Sequence, residues 1–160
     1  MISAEKLSAQ QRLLVGHGGL VLLWGCLVGF PFVFYLLGEV TLWPIPGSWE
    51  LQLPGTYDAW RMAHLEGILN GFALWIAALI LPLIPVSEKS AGRIAWGFII
   101  VAWTFVIASL MDPLFANSRG LHMGGPITNI IAFLLFYVGV LVITFMAGYI
   151  AWVCLKPRKG

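Results

Sequence analysis

His64 stands in the segment Trp60-Arg61-Met62-Ala63-His64-Leu65-Glu66-Gly67-Ile68-Leu69-Asn70-Gly71, about one helical turn inside an apolar run long enough to cross a membrane. An imidazole in hydrocarbon is costly, so a histidine at this depth marks a functional site unless it is simply hydrogen-bonded within the packing. Ala63, Gly67 and Gly71 recur every four residues beside it. A nitrogen ligand next to a smooth ridge suits a flat, metal-bearing cofactor. The same ridge equally suits close helix packing, the commonest use of such repeats in membranes. At about 100° per residue, Arg61, His64, Gly67 and Gly71 form one stripe. An arginine at its outer end suits a cofactor carboxylate, or pairs with Asp58 three residues earlier. Glu66 and Asn70 share another face, where they can bond to each other; His64 lies about 200° from Glu66.

Other polar residues are scattered. His17, in Gly16-His17-Gly18, falls near the opposite surface from His64, so the two are ~15 Å or more apart in depth. A single cofactor sandwiched between them is not expected. His122, in the loop Ala116-Asn117-Ser118-Arg119-Gly120-Leu121-His122-Met123-Gly124-Gly125-Pro126, lies on the same side as His64 and is the better candidate for a second ligand. Asp112-Pro113 reads as an interface group or a helix breaker. Tyr35, Tyr137 and Tyr149 read as packing or interfacial residues. Cys26 and Cys154 lack CxxC spacing and read as small apolar fillers, without a disulfide or zinc site. No GxSxG, HExxH, P-loop or Rossmann glycine pattern is present. Nor is there an inverted repeat of the kind found in transporters.

The elements that must position these residues follow from composition. The chain is 60% hydrophobic and 10% charged, with mean hydropathy +0.91. A soluble domain carries about 25% charge. Eight Trp and ten Phe fit the aromatic belts of a membrane protein. The net charge of +2 is small, no basic run is long enough to track a phosphate backbone, and no nucleic-acid partner is expected. Four spans are expected, at about 13–38, 60–84, 93–115 and 127–155. The first is too long for a signal h-region and reads as retained. Lys6, Arg12, Lys89, Arg93, Lys156, Arg158 and Lys159 fall on one side of these spans, and only Arg61 and Arg119 on the other. The positive-inside rule puts both termini in the cytoplasm. Residues 39–59, rich in Pro, Gly and Trp, read as an aromatic cap on the outer membrane surface. The expectation is an all-α, single-domain, four-helix bundle in the cell (inner) membrane.

With these residues in view, the chain resembles the styrene oxide isomerase family of small four-helix membrane enzymes. The resemblance is carried by Gly16-His17-Gly18, Ala59-Trp60-Arg61, Ala63-His64, Leu69-Asn70-Gly71, Leu81-Pro82, Glu88-Lys89-Ser90-Ala91, and Arg119-Gly120-Leu121 followed by Gly124. It implies a homotrimer holding haem b between subunits, with His64 as the axial iron ligand and Asn70 in the active site. Ferric iron then acts as a Lewis acid on an epoxide oxygen, a hydride migrates, and an aldehyde forms without net redox change. Such carbocation chemistry calls for a dry pocket, because water would trap the cation as a diol. The chain also departs from the family pattern. The tyrosine expected on the third helix falls near Ser109 or Leu110, and the aspartate among Val101 to Trp103. His122 stands where a smaller residue is expected.

Two functional expectations follow. One is a haem b enzyme isomerising a lipophilic epoxide to an aldehyde or ketone. Here His64 is the metal ligand, Asn70 catalytic, and Arg61, Gly67 and Gly71 line the cofactor. The other is a non-catalytic b-type haem protein for electron transfer or sensing, with His122 filling the second axial position. A membrane scaffold without a cofactor is the remaining alternative.

Overall fold

The computed structural model describes residues 7–157. Four long helices run up and down: α1 (Ala9–Leu37), α2 (Tyr57–Ile80), α3 (Glu88–Leu114) and α4 (Ile127–Leu155). All four are long and apolar enough to cross a membrane. Three of them, α1, α2 and α3, begin earlier than hydropathy alone suggests, because capping groups rather than apolarity set their starts. Ser8 and Gln11 form a reciprocal capping box before α1. Thr56 accepts from the Ala59 amide, and Ser87 from the Ser90 amide. Asp58 and Glu88 sit in the first turns of α2 and α3, where the helix dipole favours an acid.

Neighbouring helices are antiparallel. Gln11 reaches the Ala78 carbonyl at 3.1 Å, Trp75 the Val15 carbonyl at 3.0 Å, and His64 the Gly25 carbonyl at 2.9 Å. These three bonds fix the register of α1 against α2. In α3 and α4, Gly97 faces Met146 and Gly139 faces Phe105. Lipid is as apolar as leucine, so close packing rather than water exclusion holds such helices together. At the main seam, a Cβ on Gly25 would come within 2.9 Å of the Gly67 backbone. Leu14, Val21, Leu74, Ile99 and Val106 fill the core between α1, α2 and α3. A second, smaller cluster of Val28, Trp60 and Ala63 lies at the end of the bundle that carries the α1–α2 and α3–α4 links, called outer here after the expected orientation.

The outer link contains an element that sequence reading did not anticipate. Glu39–Thr41 (β1) and Ser48–Glu50 (β2) pair as an antiparallel hairpin. Gly38 ends α1 in the left-handed conformation at φ +70° and turns the chain into it. The hairpin tip carries Trp43, almost fully exposed. Arg12, Lys89, Arg93 and Lys156 stand at one end of the bundle and Arg61 and Arg119 at the other. Lys6, Arg158 and Lys159, which also enter the orientation argument, lie outside the described residues.

Candidate functional site

His64 lies on the α1-facing side of α2. Its position depends on glycines in both helices. Because Gly25 and Gly67 have no side chains, the two backbones touch there. The Gly25 carbonyl thereby comes within 2.9 Å of His64 Nδ1. A carbonyl oxygen only accepts, so Nδ1 carries the proton and Nε2 is left with its lone pair. The ring rests against Gly29, where a Cβ would sit 3.2 Å from its Nδ1 and Cε1. Phe32 flanks it at a centroid separation of 6.4 Å. His64 is half-buried, and Nε2 has no hydrogen-bond partner among the described residues. The result is a histidine fixed through one nitrogen and free to ligate through the other, the arrangement metal-binding histidines adopt.

Gly67 and Gly71 are covered by α1. Gly67 meets Gly25, and Gly71 meets the Leu22 side chain. The ridge presents no flat open surface within this chain. Its effect on His64 is indirect, through the close approach that delivers the Gly25 carbonyl.

Arg61 stands at the outer end of the stripe. Its guanidinium is 3.6 Å from the Asp58 carboxylate and 5.8 Å from the Tyr57 ring centre. Both charged side chains are largely exposed, so the pair contributes little to stability. Glu66 and Asn70 do bond. Asn70 Nδ2 donates to the Glu66 carbonyl at 2.9 Å and to its carboxylate at 2.7 Å. Both amide hydrogens are then engaged, and Asn70 offers only the acceptor Oδ1. Asn70 and His64, six residues apart, point from faces of α2 about 120° apart.

His122 is exposed in the outer loop, and no described contact brings it to His64. The loop itself is tightly organised by a residue that sequence reading passed over. Asn129, buried at 2% exposure in the first turn of α4, accepts from the Gly120 amide at 2.7 Å. It donates to the carbonyls of His122 and Gly124 at 3.0 and 2.7 Å. In the sequence it is only an asparagine three residues after Gly124-Gly125-Pro126, at the start of the fourth apolar run. Asp112 faces Arg119 at 4.0 Å, and Pro113 is buried against Gly55.

On the third helix, the positions expected to hold the tyrosine and the aspartate carry no ionisable group. Leu110 packs on the Val28–Trp60–Ala63 cluster. Ser109 is buried, with its hydroxyl donating to the Val106 carbonyl at 3.3 Å. Val101 and Ala102 are buried and apolar. Trp103 donates to His17 Nδ1 at 3.1 Å. Both cysteines are free and exposed on the outside of the helices.

Among the described residues, no three His, Cys, Asp or Glu side chains gather as a metal cage. A single histidine does not hold a bare ion. It does hold a metal that arrives with most of its ligands already in place, as in a porphyrin.

The styrene oxide isomerase family model matches residues 10–155. A styrene-oxide isomerase from Pseudomonas fluorescens is 29% identical over 119 residues, covering 74% of this chain and 69% of that protein. The matched stretch takes in all four helices and the two outer links that frame His64, and on that ground the chain belongs to the styrene oxide isomerase family.

Proposed function

We propose that this chain is a membrane haem b isomerase that converts a lipophilic epoxide to an aldehyde or ketone. The observation that carries the reading is His64. Its Nδ1–H is committed to the Gly25 carbonyl, and its Nε2 is unpartnered on the half-open flank of α2. Those residues fit a haem: one oriented imidazole, a wall of small residues behind it, and an apolar surround. When bound, ferric haem supplies a Lewis acid for the epoxide oxygen, and an isomerisation needs no external electrons.

The chain's own residues do the rest. Gly25 and Gly29 hold the imidazole plane and tautomer. Arg61, at the outer end of the same stripe, offers a cation to a propionate in place of Asp58. Asn70, pinned by Glu66, presents the negative end of its amide dipole at Oδ1, which suits a substrate carbon that gains positive charge as the epoxide opens. Its face differs from that of His64, so a group touching both lies across α2 or between two copies. This supports a homotrimer with the cofactor between subunits. Phe32, Val28, Leu110 and Trp60 keep the layer apolar and limit water, which would divert a developing cation to a diol. The family's third-helix tyrosine and aspartate have no counterpart in this layer, so Asn70 and the pocket shape carry substrate orientation here. Both termini lie on the cytoplasmic side of the cell membrane, and the substrate enters from the bilayer.

The test is purified protein loaded with haem and given styrene oxide or a related aryl epoxide. Formation of the aldehyde, lost in His64→Ala, supports the reading; no carbonyl product from any epoxide by fully loaded protein overturns it. The absorption spectrum tests the electron-transfer alternative. A six-coordinate low-spin spectrum that is lost in His122→Ala identifies His122 as a second ligand and favours that alternative.

A further inference from the structure

The seam between α3 and α4 opens into a groove of about 490 Å3 at the end of the bundle opposite His64. Its walls change character along their length. Gly97, Leu141 and Phe145 line an apolar stretch, while Ser90, Arg93 and Tyr149 stand at the inner mouth. Gly97 makes the notch: a Cβ there would come within 2.6 Å of Met146 Sδ. From Ser90 to Gly97 the groove follows ~10 Å of helix, about two thirds of the depth of one leaflet.

The mouth carries charge without counter-charge. Arg93 is exposed and has no carboxylate within salt-bridge distance among the described residues. Lys89 precedes it by four residues on the same face of α3 and is likewise unpaired among the described residues. Of the described acidic residues, only Glu88 shares this end; Glu39, Glu50, Asp58, Glu66 and Asp112 stand at or toward the other. A second copy in the same membrane orientation therefore has little negative charge to bring to Arg93. A neutral lipid would fill the groove and leave the guanidinium unmatched.

We propose that this groove binds an anionic phospholipid. One acyl chain lies along Gly97 and Phe145. The phosphate rests on Arg93, within the field of Lys89, with the Ser90 and Tyr149 hydroxyls as further donors. Charge-assisted bonds from a planar guanidinium suit a phosphate at the membrane interface. Each such cation strengthens attraction to anionic lipid about fivefold.

The test is native mass spectrometry of the full chain, purified in neutral detergent and offered equal amounts of phosphatidylglycerol and phosphatidylcholine. Phosphatidylglycerol is expected to be retained at least about fivefold better. Arg93→Gln lowers that preference about fivefold, and Lys89→Gln reduces it in the same direction by a smaller factor. Arg119→Gln, which removes an equal charge at the outer end, leaves it intact. Leu141→Trp, which fills the groove, lowers retention of both lipids. Equal retention of the two lipids by the parent protein overturns the proposal, as does an unchanged preference in Arg93→Gln. Displacement of phosphatidylglycerol by inorganic phosphate alone would show a headgroup site without the groove, and also overturns it. So does a Leu141→Trp protein that keeps its lipid but loses subunits, because the groove is then an interface between copies.

Discussion

Two histidines sit in the helical bundle of this protein, one toward each end, and they are wired in opposite senses. His64 Nδ1 donates to the Gly25 carbonyl. His17 Nδ1 accepts from Trp103 Nε1, a group that only donates. In the neutral rings, His64 therefore keeps a lone pair on Nε2, whereas His17 carries its proton there. His17 is also flanked by the rings of Trp96 and Trp103 at 6.1 and 6.4 Å. One histidine is prepared to ligate and the other to donate a hydrogen bond. Residue type and hydropathy are the same for both. The partner of Nδ1 makes the difference.

The largest effect that would break this comparison is His64→Ala. With haem supplied, it is expected to abolish both the Soret absorbance and carbonyl formation, while His17→Ala keeps both. Loss of colour in His17→Ala with retention in His64→Ala would reverse the assignment. Next is Gly25→Val. A side chain there meets the Gly67 backbone, separates α1 from α2 and withdraws the carbonyl from His64. Overpacking of this kind costs ~1–3 kcal/mol, and loss of an orienting partner weakens metal retention ~10–100-fold. Thermal unfolding and haem titration in detergent check the two parts.

A third change, Asn129→Ala, removes its three bonds to the outer loop. It is expected to destabilise the protein by roughly 1–3 kcal/mol and to leave the haem spectrum of His64 in place. A spectrum that shifts with this variant would join the loop to the ligand set. The smallest effect is expected from Trp103→Phe, which removes the bond to His17. Measured bonds between membrane helices average ~0.6 kcal/mol, so a slight fall in unfolding temperature with unaltered haem binding is the expected result.

Much of this layout is legible in the sequence. Four apolar runs announce four helices. The four-residue spacing of Glu66 and Asn70 gives their bond, and the Asp58–Arg61 spacing gives theirs. What the sequence leaves open depends on contacts distant along the chain. The glycine repeat at Gly67 and Gly71 is compatible with a cofactor platform or a packed seam. Only the arrival of Gly25 and Leu22 shows what covers it. The Nδ1 partner of His64 lies 39 residues away and leaves no periodic trace. The β1–β2 hairpin escapes notice because each strand has three residues, too short for alternation to register. Asn129 is overlooked because a lone polar residue in an apolar helix carries no spacing signal.

Synthesis order gives the Gly25 carbonyl a further consequence. Both partners of the His64 bond belong to α1 and α2, which precede α3 and α4 in the chain, and Gln11 and Trp75 fasten the same pair farther along. Once α2 has entered the bilayer beside α1, the imidazole can take its final orientation before α3 and α4 exist. The imidazole is then oriented early in biogenesis, and later helices close around a ring already held.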